Sequence, residues 1–567
     1  MSEVQNTING QNVVAESGMT IMQAAEAAGI DIPKLCYHPS VSAWGACRMC
    51  LVEVEGMRGL QTSCTCPVAD GMKVQTETES AVEVRKFVLE LLFAERNHYC
   101  MFCQMSGDCE LQDMAYRYGL DHFTYPRPFD KLPVDASRKY FIMDHNRCIL
   151  CTRCVRACSE IAANHTLNIR ERGADSMIMA DLNVPFGESS CVECGSCLQV
   201  CPTGALIDAR SAYGGREKDV THTETACMQC SIGCTLDVVT RYNRLLRVDG
   251  VWGSIPNDGL LCVDGRFKPL YDNRQRITAP MVRRDGELVE AGWDEALGMV
   301  AGKLKAGSAQ GLATGATSNE ALAGFAKLFS KVDGEAGMLE PAAPALGYGK
   351  EAKLEDILDA DFIVVAGAQP LDFQRVVGYF IHRAGDNGAK VAVIADSENK
   401  MSERADITVS YADADKVVSA AADAEKVVLV YSVGIKGKVQ AAFRELGDKL
   451  SYLALSPGRN QGGAATAGLK TTEPKSAATQ YFLMGEQAAD AALQGQLNGA
   501  FKVVQASYAS SLTEAADVVL PAPVWYERTG HMTNVEGEVK ALNQVLPMPE
   551  GVRDDADVLA ALADLLG

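Results

Sequence analysis

Two stretches, Cys148–Cys158 reading CILCTRCVRAC and Cys191–Pro202 reading CVECGSCLQVCP, share the spacing C-x2-C-x2-C-x3-C. Three closely spaced thiolates wrap one iron–sulfur cube, and the geometry of such runs sends the fourth cysteine to the other cube. One 4Fe-4S centre is therefore expected on Cys148, Cys151, Cys154 and Cys201, and a second on Cys191, Cys194, Cys197 and Cys158. The competing uses of cysteine fit less well: zinc favours two short knuckles, and disulfide frameworks belong to short secreted chains.

Working outward from this pair, all 20 cysteines fall between Cys36 and Cys262. Upstream, Cys36, Cys47, Cys50 and Cys64 give C-x10-C-x2-C-x13-C, four thiolates for a 2Fe-2S rhomb. The small residues of Trp44–Cys50 (WGACRMC) let the backbone close around it, so that its N–H groups reach the sulfurs. Cys66 competes with Cys64 as the fourth ligand, and zinc competes with iron. Cys100, Cys103 and Cys109 supply only three thiolates, leaving one corner of a cube open. A neutral imidazole would fill it and raise the potential, because it adds no negative charge. His98 is the expected donor, with His122 as substitute. Downstream, Cys227, Cys230, Cys234 and Cys262 form a further set, C-x2-C-x3-C-x27-C.

The chain has 567 residues, 47% of them hydrophobic, enough for several domains with separate cores. Its 73 acidic and 53 basic residues leave a formal charge of −20, which repels phosphate backbones and anionic lipid headgroups. Neither nucleic acid nor direct membrane insertion is expected. No basic, apolar leader is visible, and apolar runs such as Val427–Ile435 fall far short of a membrane span. We expect a soluble protein of a reducing compartment, the cytoplasm, reaching a membrane face only through partners.

Local patterns place the sites. Asn6–Val14 reads as a hairpin turning at Asn9-Gly10, and Thr20–Ala28 as a helix. Ala81–Glu95 reads as an amphipathic helix with Val82, Val84, Phe87, Val88, Leu91 and Leu92 inward. Residues 119–138 read as a linker. Beyond Arg276, apolar strands (Asp361–Gly367, Lys390–Asp396, Lys426–Ser432) alternate with Ala-rich helices, which predicts a parallel sheet flanked by helices. Residues 338–350 and 456–478 read as surface loops, and Asp554–Leu566 as an Asp-capped helix burying Val558, Leu559, Leu562, Leu565 and Leu566.

These motifs carry a resemblance. QTSC before Cys64, NHYCMFCQMSGDCELQ around the three-cysteine set, the doubled bacterial ferredoxin run, then TACMQCSIGC and GLLCVDGRF around the last set resemble the large iron–sulfur (G-type) subunit of NADH-quinone oxidoreductase. Related subunits of NAD-linked hydrogenases, formate dehydrogenases and electron-bifurcating complexes share them. From RITAPMVRRDGELVEAGWDEAL to ADVVLPAPVWYERTGHMTNVEGEV the resemblance continues with the molybdopterin oxidoreductase superfamily. It implies an α/β and α+β multidomain chain: a 2Fe-2S ferredoxin-like β-grasp at 1–78, a His(Cys)3 4Fe-4S module at 79–138 and a two-cluster ferredoxin module at 139–212. A fourth 4Fe-4S site at 220–276 and a degenerate molybdopterin-type α/β domain at 277–567 complete it. One residue separates His98 from Cys100, as in diaphorase subunits of NAD-reducing hydrogenases, where the complex I form has three. Catalytic molybdopterin relatives place a lysine where this chain has Asp264 and a metal-ligating cysteine further on, yet no cysteine follows Cys262. With Ala412–Asp415 (ADAD) where a nucleotide segment belongs, these departures argue against bound molybdopterin and against any catalytic residue. A Ser or Asp metal ligand, giving a molybdenum or tungsten formate dehydrogenase-like enzyme, is the alternative. The implied role is an electron-transfer subunit: FMN and NAD(H) on a flavoprotein partner, a small 2Fe-2S subunit beside it, and a further redox subunit, whether hydrogenase, formate dehydrogenase or quinone-linked.

Overall fold

The computed structural model describes residues 3–126, 131–488 and 500–567. The chain divides into two compact units at Val220/Thr221.

In the first unit Glu3–Ile8 pairs antiparallel with Gln11–Glu16. Asn9 (φ 50°) and Gly10 (φ 81°) supply the two left-handed residues of the turn, whose twist matches the strands. Thr20 caps the helix Ile21–Ala27 and Gln23 bonds back to it. The sheet runs in the order 11–16, 3–8, 73–75, 51–54, 61–62, with 3–8 parallel to 73–75. The helix covers Ile8, Val52 and Val74, which is the expected β-grasp.

The next helix spans Glu79–Glu95 behind a Thr78 cap, but its buried stripe is Ala81, Arg85, Leu89 and Ala94. Val82, Val88 and Leu92 flank that stripe against Leu35, Met49 and Leu111. Phe87 and Leu91, expected inside, face solvent. The helix is rotated because Arg85 is wholly buried: it donates to Met49 O (2.9 Å), Leu51 O and Thr76 O (both 2.7 Å) and Tyr118 Oη (3.1 Å). Three carbonyls, a tyrosine hydroxyl and the Glu77 carboxylate (3.0 Å) hold a charge that hydropathy assigns to the surface. The stretch read as a linker contributes Val134–Asp135 to a three-stranded sheet with 141–144 and 206–208; its residues 127–130 lie outside the described residues.

The second unit begins with an antiparallel sheet of Thr221–Ala226, Thr235–Arg241 and Arg244–Gly250. The expected α/β region holds two sheets. Six parallel strands, 518–521, 501–506, 479–485, 309–313, 334–338 and 470–471, carry the hairpin 281–290 antiparallel on one edge. The other sheet is wholly parallel, in the order 350–351, 450–454, 427–431, 362–366, 390–394, 407–409. Its central strands are buried on both faces, which is why they read as unbroken apolar runs. The segment 456–478 is more than a loop: buried Asn460 caps a helix at Gln461–Thr466 and donates to Thr317 O. The last helix, Asp555–Leu566, buries Val558, Leu559 and Leu562 in the core of the first of these sheets, while Leu565 is exposed.

Candidate metal centres

The first cysteine set closes on itself. Cys36 N–H points at Cys47 Sγ (3.4 Å), and Cys50 Sγ lies 3.4 Å from Cys64 Sγ. Contact with Cys50, burial, and the charges of Cys36 and Cys47 push the Cys64 thiol far up. Cys66 feels burial alone, its sulfur directed at Pro67 O. Of the two rivals, Cys64 is the one placed with the other three.

Cys100, Cys103 and Cys109 come together around a short 3-10 turn, Cys100–Phe102, and the start of the helix Glu110–Arg117. Burial lifts Cys109 to about 12, with Cys103 and Cys100 adding their charge. Cys100 N–H donates to His98 O (2.9 Å); the His98 ring lies edge-on to Phe93, and its Nε2 is buried. His122 lines the same cavity as Cys100, about 430 Å³, but it is 74% exposed and bonds Asp121 at 2.6 Å. Behind the set, Arg147 donates to Cys103 Sγ at 3.4 Å and to Gln104 Oε1 at 2.7 Å. A Cβ on Gly204 would meet Cys103 Sγ at 2.8 Å, so that position has no room for a side chain.

The two ferredoxin-like runs fold as near copies. Leu150 and Thr152 in one, Glu193 and Gly195 in the other, adopt positive φ at corresponding positions. This left-handed turn aims Leu150 N–H at Cys148 Sγ and Glu193 N–H at Cys191 Sγ, each at 3.4 Å. Three of the four residues are not glycine and so carry strain of about 1–2 kcal/mol each. Burial lifts Cys148 to about 11 and Cys151 to about 12, and the charge of Cys201 acts on both. Burial likewise lifts Cys158 to about 11, and there the acting charge is that of Cys194. The fourth cysteine of each run thus faces the other run. A π-turn, Ala157–Ile161, widens the helix around Cys158 where this exchange occurs.

In the second unit Cys227 and Cys234, both buried, and Cys230 and Cys262, both half-buried, lie in one place. Burial raises each thiol, and main-chain N–H groups of Gln229, Ile232 and Gly265 point at Cys227, Cys230 and Cys262 respectively. Gly265 lets the backbone approach closely there, since a Cβ would come within 3.2 Å of Cys227 Sγ and push it by a few tenths of an ångström. Asp264 pairs with Lys268 (2.5 Å) and Arg375 (2.9 Å). It borders a polar cavity of about 300 Å³ in which Arg459 faces Glu486 and Arg274 stacks on Tyr508. A second cavity, about 360 Å³, opens where the parallel sheet reverses its strand order, the place such sheets bind ligands. Its Asp396 is paired with Lys436 and accepts from Tyr411 N–H.

These donor sets fit iron–sulfur centres. Most of these thiols are held protonated by burial, and a bound iron core would take them as thiolates, whose sulfurs would accept the N–H groups already aimed at them. These two cavities fit a molybdopterin cofactor poorly. Their basic residues Lys268, Arg274, Arg459 and Lys436 are paired with Asp264, Asp272, Glu486 and Asp396, leaving no net positive charge for a pyrophosphate.

A molybdopterin oxidoreductase model matches residues 276–429 and 427–565, together half of the chain. The chain belongs to the molybdopterin oxidoreductase family. Ahead of that half, matches run to a 2Fe-2S iron–sulfur cluster binding domain (1–79) and an NADH-ubiquinone oxidoreductase-G iron–sulfur binding region (85–123). The ferredoxin-like domain of NADH-quinone oxidoreductase subunit 3 (140–207) and the molybdopterin oxidoreductase Fe4S4 domain (220–271) follow. The molybdopterin family half thus sits behind iron–sulfur modules of the NADH-quinone oxidoreductase type. The second G-type NADH-quinone oxidoreductase subunit of Rhizobium meliloti is 35% identical over 67% of this chain, though the match spans 46% of that relative's length. NADH-quinone oxidoreductase subunit 3 of Thermus thermophilus is 29% identical over 100% of this chain and 83% of its own length. A solved NAD+-reducing [NiFe]-hydrogenase chain is 35% identical over 38% of this chain and 91% of its own, with a TM-score of 0.36.

Proposed function

We propose that the chain is an electron-carrying subunit of an NAD(H)-linked oxidoreductase complex and catalyses no bond chemistry itself. It holds one 2Fe-2S centre on Cys36, Cys47, Cys50 and Cys64. Four 4Fe-4S centres sit on His98, Cys100, Cys103 and Cys109; on Cys148, Cys151, Cys154 and Cys201; on Cys158, Cys191, Cys194 and Cys197; and on Cys227, Cys230, Cys234 and Cys262. Bound clusters supply reversible one-electron chemistry. The protein sets their potentials through burial, N–H···S bonds and nearby charge, and fixes their spacing.

The reading rests on the adjacency of the donor sets in the first unit. Arg147, next in sequence to Cys148, touches Cys103 Sγ; Arg153, next to Cys154, pairs with Glu110, next to Cys109. The charges of Cys197 and Cys201 reach across between the two cube sets. Sites that abut through single side chains suit a relay. The relatives are named as subunits of NADH-quinone oxidoreductase, which supports partner subunits; we read these as a flavoprotein that binds NADH, a small 2Fe-2S subunit and a further redox subunit. Among the described residues no helix is long and apolar enough to cross a membrane.

Anaerobic purification of the full chain with its co-purifying subunits tests this. We expect roughly 18 irons per chain, one two-iron and four four-iron centres, with neither molybdenum nor tungsten. Stoichiometric molybdenum or tungsten would transfer the reading to the catalytic alternative, and a colourless zinc-loaded protein would refute both.

A further inference from the structure

We propose that Arg156 is a positioning residue that couples the 2Fe-2S site to the first cube site, an inference that rests on the ligand assignment above. Arg156 is 5% exposed, at the end of the short helix Arg153–Arg156. One nitrogen, Nη2, donates to the main-chain carbonyl of Cys36 at 2.5 Å and to that of Cys151 at 3.1 Å. Nη1 donates to Ser42 O, and Nε to Thr152 Oγ1 at 3.3 Å. A single NH2 group is therefore shared by ligand residues of two centres that lie 115 positions apart in sequence. From the π-turn beyond, Glu160 closes the other end of the clamp, accepting from Ser42 N–H and Ser42 Oγ, both at 2.6 Å.

Two consequences follow from this geometry. The path from the Cys36 thiolate through its carbonyl, the guanidinium and the Cys151 carbonyl to the Cys151 thiolate contains only covalent bonds and two hydrogen bonds. With both clusters bound, it would offer a route for one electron between them, with no proton moved and no bond broken. The guanidinium also places one positive charge beside both centres, which favours the reduced form of each. Lysine keeps the charge but lacks the planar fork that spans two carbonyls, so the two roles separate by substitution.

A buried arginine that merely satisfies carbonyls would affect stability alone. The deciding measurement is an anaerobic potentiometric titration, followed by electron paramagnetic resonance, of Arg156→Gln and Arg156→Lys in the full chain with iron content measured in parallel. With both signals retained, Arg156→Gln lowers the reduced-to-oxidised ratio of both centres about tenfold at a fixed ambient potential, a shift of about 59 mV for one electron. Arg156→Lys leaves both midpoints in place but slows rapid-freeze electron transfer between the centres about tenfold. Intact signals with midpoints unmoved in Arg156→Gln, or only one of the two moved, overturn the proposal. If Arg156→Gln loses its clusters, Glu160→Gln decides: removing that carboxylate shifts both midpoints upward, and unmoved midpoints overturn the proposal equally. Absence of either signal from the parent protein would instead overturn the ligand assignment.

Discussion

Gly204→Ala puts the abutment of the sites to a steric test. Gly204 belongs by sequence to the segment after the second ferredoxin-like run, yet its missing Cβ would lie 2.8 Å from Cys103 Sγ and 3.2 Å from Met105 Cγ. Non-bonded heavy atoms touch at about 4.0 Å, so one methyl demands a shift of roughly 1 Å. Cys103 has little freedom to yield, because Arg147 bonds its sulfur at 3.4 Å and its cluster would fix it. Overpacking of this kind costs about 1–3 kcal/mol, and here the strain falls on an iron–sulfur bond. We expect Gly204→Ala to lose or distort the centre on Cys100, Cys103 and Cys109, with a fall of roughly four irons per chain, while the 2Fe-2S signal persists. The control is Gly298→Ala, in the helix Trp293–Lys305, where an added Cβ meets nothing within 4 Å; that change should stabilise by about 1 kcal/mol. A Gly204→Ala protein with the full iron count and every resonance in place would refute the packing argument.

Replacing Cys64 by Ala should abolish the 2Fe-2S signal and replacing Cys66 should spare it, as optical and electron paramagnetic resonance spectra will register. Cys201→Ala should damage the cube on Cys148, Cys151 and Cys154; loss confined to the Cys191 site would refute the crossed arrangement. Arg528 and Asp555 form a pair that is almost fully buried, with Thr317 and Gln505 also bonding the carboxylate at 2.7 Å. Arg528→Met leaves that charge without its counter-ion and should cost about 3–5 kcal/mol in urea unfolding. Burial pushes Glu340 up to about 7, against the opposing influence of Gly315 N–H and Arg459. A carboxyl raised in the folded state contributes stability that is full below its ordinary value and lost as pH rises through about 7. Thermal melts of Glu340→Gln between pH 4 and 8 should lack this loss.

The cysteine spacings and the parallel strands were legible in the sequence because each reports a strong, local requirement. Four thiolates at fixed intervals have few uses, and Val427–Tyr431 or Phe362–Ala366 have no polar residue to expose. Hidden from the sequence were features set by distant partners. Arg85 and Arg156 carry no local signal of burial, since nothing near them in sequence shows that carbonyls 34 or 120 residues away will accept their donors. Thr152 and Leu150 gave no sign of left-handed backbone, although Gly195 at the matching place in the second run was a usable hint. The self-neutralised pairs Asp264–Arg375 and Asp396–Lys436 join residues 111 and 40 positions apart, so the acidic partner was visible while its cancellation was not.

The buried Arg85 also has a bearing on where the first module ends. A fragment stopping at residue 78 would strip Met49, Leu51 and Thr76 of the donor they share, stranding three carbonyls at the floor of the 2Fe-2S loop. The helix Glu79–Glu95 therefore serves as the closing element of the N-terminal fold as well as the road to the next centre. Cutting at residue 96 should give a more stable piece than cutting at 78, as urea unfolding of the two will register.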